Sequence, residues 1–278
     1  MRTVVVTGAA SGIGRQLVLD LIIKDGDRVI PVDRDESGLQ SLRSELIKLG
    51  KVDDNWPVYH CDITDQKAIA ALCRSLKKTT VDVLVNNAGI FYAGAFARMK
   101  MADFEKVVSV NLLGTVRFTH ALLPALSRCS NPVIVNVSSL AGLIGAPGMV
   151  AYSTAKFALI GFSEALRAEL GKKFAVCMVC PTFVKSNIAT NALTSDEVNP
   201  ESRSSWVGLM NNVLEKVGCD AAKASKAIRN AITRRRKLTL INPDAHILFQ
   251  LKRFFPGACD FVVGTAFGGL KKRGVVES

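Results

Sequence analysis

Short apolar runs alternate with longer stretches in which apolar residues recur at helical spacing, and the alternation continues to about residue 242. The runs predict strands at about 3–6, 28–32, 57–61, 82–85, 132–137, 174–180 and 237–241. Between them the pattern predicts helices from the residues after Gly14 to Ile23, then at about 36–49, 65–78, 102–127, up to Leu170, and 221–235. In the second of these, Leu39, Leu42, Leu46 and Leu49 form one face to pack on a sheet. Such strand–helix crossovers suit an α/β protein with a doubly wound, seven-stranded parallel sheet and helices on both faces.

The pattern fails in two places. From about 187 to 212 it gives way to Thr, Ser, Asn and Asp punctuated by Ile188, Leu193, Trp206, Leu209 and Met210, which reads as a lid over an apolar ligand or a plain surface loop. From residue 243 to 278 lies an extension beyond the 1–242 domain. In it Ala245, Ile247, Leu248, Leu251, Phe254 and Phe255 recur at helical spacing beside Lys252 and Arg253, and a second apolar run precedes Lys271-Lys272-Arg273. A basic amphipathic element can lie on a membrane surface or pack on protein.

Composition changes this picture little. With 49% hydrophobic and 22% charged residues the chain is globular, and no run approaches a membrane span. The opening apolar run stops at Gly8 and flows into the next element, so no removable leader is expected. The seven cysteines are odd in number and dispersed, which fits reduced thiols and a cytoplasmic chain. Cys177 and Cys180 have a redox-like spacing, yet three residues apart in a strand they face opposite sides. No metal-ligand spacing occurs. A net charge of +12 invites nucleic acid as a partner, but the basic clusters at 234–237 and in the extension come without a zinc spacing, an RNA-binding aromatic signature or basic heptads, so no nucleic-acid partner is expected.

Candidate chemistry sits at strand ends. Thr7-Gly8-Ala9-Ala10-Ser11-Gly12-Ile13-Gly14 reads as a turn between strand and helix, where glycines let the backbone approach a phosphate and the helix N-terminus favours an anion. About twenty residues on, the second strand ends in Asp33, placed to accept hydrogen bonds from an adenosine ribose. Asp62, followed by Ile63, ends the third strand over the same crevice; Asp62 and Asp65 compete for the cap of the next helix. The fourth strand delivers Asn86-Asn87-Ala88-Gly89, small and amide residues that suit a backbone passing close to a ribose. Asn111 stands in an apolar helical stretch and needs a partner. Ser138-Ser139 ends the fifth strand, and Tyr152 and Lys156 fall one turn apart on one helix face.

Taken together, Thr7-Gly8-x-x-x-Gly12-Ile13-Gly14, Asn86-Asn87-Ala88-Gly89, Ser139 ahead of Tyr152, and Tyr152-x-x-x-Lys156 make residues 3–242 resemble the short-chain dehydrogenase/reductase (SDR) family. The resemblance implies a Rossmann-type domain that binds a nicotinamide cofactor and moves a hydride between its C4 and a carbonyl or carbinol carbon. It implies Tyr152 as the acid/base, Lys156 as the charge that lowers its pKa and reaches the nicotinamide ribose, Ser139 against the substrate oxygen with Ser138 the lesser candidate, and Asn111 holding a water that links Lys156 to solvent. It further implies cofactor contacts from Gly8, Ser11, Gly12, Ile13, Gly14, Asp62, Ile63, Asn87, Ala88, Gly89, Pro181, Val184 and Ser186, alongside Tyr152 and Lys156. A homodimer or homotetramer is implied as well.

This chain departs from the family pattern at Thr182, where Gly commonly follows the proline, and at Ser186, where Thr is more common. Asp33 would repel a 2′-phosphate, which favours NAD over NADP, although Arg34 could reach such a phosphate. The pocket segments 90–93, 140–148 and 187–212 are largely apolar, so the expected substrate is a lipophilic secondary alcohol or ketone: steroid-like, retinoid-like or long-chain. Reduction of 3-oxoacyl thioesters and a non-catalytic dinucleotide-binding regulator are the alternatives, and peripheral membrane contact through the extension is a further expectation.

Overall fold

The computed structural model describes residues 1–182, 184 and 218–272, without side chains beyond Thr265. Its strands are β1 (Thr3–Thr7), β2 (Arg28–Asp33), β3 (Tyr59–His60), β4 (Val83–Asn86), β5 (Val133–Val137), β6 (Ala175–Cys180) and β7 (Leu238–Leu240). They form one sheet in the order β3-β2-β1-β4-β5-β6-β7, with every pair parallel. The chain thus leaves β1 towards β2 on one side and resumes at β4 on the other, which opens a crevice above the carboxyl ends of β1 and β4.

Helices α1 (Gly12–Ile23), α2 (Glu36–Lys48), α3 (Gln66–Ser75), α4 (Met101–Val108), α5 (Thr115–Leu126), α6 (Val150–Leu170) and α7 (Ala221–Arg234) flank the sheet. Strand periodicity splits the core in two. Val4, Val6, Val133, Val135 and Cys177 face Leu17 and Leu21 of α1, Leu39, Leu42 and Leu46 of α2, and Ile228 and Ile232 of α7. Val5, Ile134 and Val176 face Ile69 and Leu72 of α3 and Phe118, Leu122 and Leu126 of α5. Each fully buried Leu or Val contributes roughly 1.5–3 kcal/mol, so this double core fixes the strand ends that carry the polar residues. It also explains the cysteine pair, because Cys177 packs against the α1–α2–α7 layer while Cys180 is in the opposite register.

Three expectations change. The third strand shrinks to Tyr59–His60, pairing only with the end of β2. The long helix expected at 102–127 is interrupted by a π-turn at Ser109–Gly114 between α4 and α5, an extra residue per turn that re-aims the side chains around Asn111. The extension is two helices, α8 (Pro243–Phe254) and α9 (Pro256–Lys272), joined at Phe255. The proposed lid at 187–212 lies outside the described residues. All seven cysteines are free of disulfides.

Candidate active site

The glycine turn between β1 and α1 is built by close approach. Gly8 has φ +69° and Gly12 φ +53°, conformations that L side chains rarely adopt. A Cβ on Gly14 would lie 1.9 Å from the Gly8 carbonyl oxygen, so the helix can start only where this residue has no side chain. Ser11 occupies the N-cap of α1 without using its hydroxyl there, and the first turn carries no acidic residue, leaving the positive helix end open to an anion.

Neighbouring strands pin this turn from both sides. The Asn87 amide donates to the carbonyls of Thr7 at 3.1 Å and Gly8 at 3.2 Å. In return, the Thr7 hydroxyl accepts from the Asn87 and Ala88 N–H groups, each at 3.1 Å. From β2, Asp33 accepts from the Ala10 N–H at 2.9 Å through Oδ2 and from the Asp35 N–H at 2.9 Å through Oδ1. Asp33 therefore holds the turn while also facing the cavity.

The competition between Asp62 and Asp65 resolves by division of labour. Asp65 caps α3 by accepting from the Lys67 N–H at 2.7 Å. Asp62 closes a local turn, accepting from the Thr64 N–H at 2.8 Å and its hydroxyl at 2.7 Å, and lines the cavity with Ile63 and the exposed Arg34.

At the other end of the cavity, α6 presents Tyr152 and Lys156 while the end of β5 presents the serines. Tyr152 is hydrogen-bonded to the Ser139 side chain, and Phe91 meets the tyrosine ring edge-on at 5.0 Å and 77°. Ser139 also accepts from the Ala141 N–H at 3.1 Å. Ser138 turns away, donating to the Lys156 carbonyl at 3.1 Å, so the two adjacent hydroxyls have separate roles. The Lys156 ammonium, 4% exposed, donates to the Val137 carbonyl at 2.9 Å and lies 5.6 Å from the Tyr152 ring centroid.

These environments push both groups away from charge. Burial raises the Tyr152 phenol to about 12, only partly opposed by the hydrogen bond with Ser139. Burial also lowers the Lys156 ammonium to about 8. Desolvation thus sets the direction for the phenol, and the Lys156 ammonium is directed at the Val137 carbonyl. The Asn111 side chain exchanges two hydrogen bonds with the backbone of Ile90.

Both ends belong to one cavity of about 370 Å³. It gathers Gly8, Ser11, Gly12, Ile13, Asp33, Arg34, Asp62, Ile63, Asn87, Ala88, Gly89, Ser139, Tyr152, Lys156, Pro181 and Val184, all singled out from sequence. Gly14 and Asn111 stand behind its wall, Gly14 against the Gly8 carbonyl and Asn111 against Gly89 and Ile90. Ser186 lies outside the described residues. Thr182 lines the cavity, and its hydroxyl accepts from the Asn242 amide at 2.7 Å, so the residue that departs from the family pattern ties the exit of β6 to the start of α8.

One polar group escaped the sequence reading. The Asn86 amide donates to the Thr119 hydroxyl and to the Asn136 side-chain oxygen, both at 2.8 Å, and the Asn136 amide donates to the Ser163 hydroxyl at 2.8 Å. This buried chain crosses from α5 through β4 and β5 to α6, directly beneath the strand ends that hold the site. Its only signal was asparagine interrupting apolar strands.

Known proteins share this arrangement. The dehydrogenase/reductase SDR family member 7B of Xenopus tropicalis is 33% identical over 245 residues, 86% of this chain and 76% of that protein. The probable oxidoreductase EphD of Mycobacterium tuberculosis (strain ATCC 25618 / H37Rv) is 32% identical over 261 residues, 91% of this chain but 43% of that protein, so the chain spans less than half of this relative. The crystal structure of a 3-oxoacyl-[acyl-carrier protein] reductase with bound NAD from Brucella melitensis superposes with a TM-score of 0.70 at 26% identity, over 86% of this chain and 88% of that one. The family model for short chain dehydrogenases matches residues 2–197, and with the parallel sheet, the glycine turn and the Tyr152–Lys156 helix in place, the chain belongs to the short-chain dehydrogenase family of oxidoreductases.

Proposed function

We propose that this chain transfers a hydride between NAD and the carbinol or carbonyl carbon of a lipophilic secondary alcohol or ketone. The observation that carries the reading is one cavity with an anion-ready helix end at one extreme and a hydrogen-bonded Tyr152–Ser139 pair at the other.

The residues present fit a dinucleotide. A Cβ on Gly8 would fall 2.8 Å from the Ala88 Cα, and one on Gly14 would strike the Gly8 carbonyl; both glycines keep the backbone low where a pyrophosphate would pass. Ser11, Gly12 and Ile13 would hold the phosphates, Asp33 the adenosine ribose, Asp62 and Ile63 the adenine, and Asn87 to Gly89 with Lys156 the second ribose. Bound there, the nicotinamide supplies the hydride acceptor or donor. NAD fits better than NADP because the Asp33 carboxylate faces the place where a 2′-phosphate would sit, and NAD is bound in the Brucella relative.

The chain's own groups handle the proton. Tyr152 gives its phenolic proton to the substrate oxygen in reduction and takes it back in oxidation, while the Ser139 hydroxyl stabilises charge on that oxygen. A neutral phenol suits the acid role, and burial keeps it neutral. Lys156, buried beside the ring, places a positive charge where a phenolate would form once the site is filled. Around them Ile90, Phe91, Val110 and Val137 give an apolar wall, which supports a lipophilic substrate.

A panel of steroid, retinoid and long-chain secondary alcohols with NAD, followed by NADH absorbance, tests the reading. Turnover on the lipophilic members is expected; turnover confined to polar sugars rejects the substrate class. Reduction of a 3-oxoacyl thioester is the second reading, supported by the activity in the Brucella relative's name. Faster turnover of a 3-oxoacyl-carrier substrate than of any free ketone would favour it.

A further inference from the structure

We infer that the α8–α9 hairpin is a docking surface for an anionic lipid bilayer, lying on the membrane without crossing it. The two helices turn their small residues inward: Ala245 of α8 and Cys259 of α9 are fully buried. At 100° per residue, Ile247 and Phe254 fall on the side of α8 opposite Ala245, and they are 68% and 65% exposed. On α9, Phe261 is turned well away from Cys259 and is 75% exposed, Val262 on the flank is 46% exposed, and Phe255 at the junction is 65% exposed. Leu248, Phe249 and Leu251 are half-buried against the rest of the chain, yet Ile247, Phe254, Phe255 and Phe261 remain as large apolar side chains facing outward, an exposed patch of the kind that marks an interaction surface.

Charge selects the occupant. Residues 243–272 carry four Lys or Arg against two Asp, in a chain of net charge +12. The Arg253 guanidinium lies over the Phe254 ring at 5.9 Å, which keeps a cation at the edge of the apolar face, where headgroup phosphates meet acyl chains. Lys252 pairs with Asp260 at 2.6 Å and staples α8 to α9, so the hairpin presents its aromatic residues as one unit. No helix among the described residues is long and apolar enough to cross a membrane, which leaves the interfacial position. The start of the hairpin is tied to the crevice, because Asn242, immediately before α8, donates to the cavity residue Thr182.

Co-sedimentation with phosphatidylcholine–phosphatidylserine vesicles and with phosphatidylcholine vesicles alone tests the surface, using the full chain and a Phe254→Ser/Phe255→Ser/Phe261→Ser variant. Wild type should pellet with the anionic vesicles, weaken in high salt, and bind roughly tenfold or more tightly than the variant. A wild type that pellets with neither vesicle, or a variant that pellets as well as wild type, overturns the proposal. So does a change of oligomeric state in the variant without any vesicle binding by wild type, which would make the face a contact between copies. Should the triple variant fail to fold, quenching of Phe254→Trp fluorescence by brominated phosphatidylcholine in anionic vesicles replaces it, and an unquenched tryptophan counts against. This outcome is separate from alcohol turnover, so the substrate reading stands or falls independently.

Discussion

Asn111 and the backbone of Ile90 pair as two peptide groups would: the Ile90 N–H donates to Asn111 Oδ1 at 2.7 Å, and Asn111 Nδ2 donates to the Ile90 carbonyl at 2.8 Å. The asparagine is fully buried within the π-turn, and Ile90 follows Gly89, which a Cβ would bring within 3.7 Å of the Lys156 ammonium. One side chain therefore sets the height of the loop after β4 over Lys156. In Asn111→Leu, the two part-buried backbone groups of Ile90 lose their partners, at a cost of roughly 1–3 kcal/mol. Urea unfolding should show that loss together with weaker NAD binding. A variant of unchanged stability would mean that water replaces the pair.

Tyr152→Phe removes the phenolic oxygen and its bond to Ser139, while the ring keeps its edge contact with Phe91. The turnover number should fall about 10²–10⁴-fold with cofactor affinity preserved. Ser139→Ala keeps the phenol and loses a donor to the substrate oxygen, so a fall of about 10²–10³-fold is expected. Preserved turnover in Tyr152→Phe would take the proton transfer away from Tyr152, whereas a wild type that binds NAD and turns over no alcohol or ketone would be a dinucleotide-binding regulator.

Stability should depend on pH through the same helix. Burial lowers Lys156 from 10.5 to about 8, so its contribution is complete above about 10.5 and is lost as pH falls through about 8. Burial raises Tyr152 from 10.0 to about 12, so its contribution is complete below about 10 and is lost as pH rises through about 12. Wild type should therefore gain stability on Lys156→Met as pH rises from about 8 to about 10. Urea midpoints of both proteins measured across that range give the difference; parallel curves would show that Lys156 titrates as an exposed lysine does.

What the sequence carried and what it withheld follow from range. The β1 turn was legible because its needs are local: β-branched residues before it, glycine where φ is positive, and a carboxylate one strand later at Asp33. Asp62 and Asp65 stayed level because both suit a cap, and only the bond from the Lys67 N–H separates them. An apolar stretch broken by Asn111, Asn86 or Asn136 shows that an amide needs a partner. It cannot show that the partners are Ile90, Thr119 and Ser163, which the fold brings from elsewhere in the chain. The direction of the Tyr152 shift was likewise hidden, since it is set by depth of burial, which depends on residues distant in the chain.

Asp33 does two jobs at once, and separating them tests the cofactor choice. Its Oδ2 accepts from the Ala10 N–H at 2.9 Å, which shapes the glycine turn, and its negative charge faces the cavity beside Arg34. Removing the side chain would lose both. Asp33→Asn keeps one oxygen for the Ala10 N–H, gives up the acceptor for the exposed Asp35 N–H and discards the charge, so the glycine turn keeps its tie to β2 while repulsion of a 2′-phosphate ends. With the charge gone, Arg34 is free to attract that phosphate, and affinity for NADP should rise roughly tenfold relative to NAD, about 1.4 kcal/mol. Arg34→Ala added to Asp33→Asn should reverse most of the gain. Calorimetric titration of both dinucleotides against wild type, the single and the double variant reads these ratios, and a wild type that already prefers NADP would overturn the assignment of Asp33.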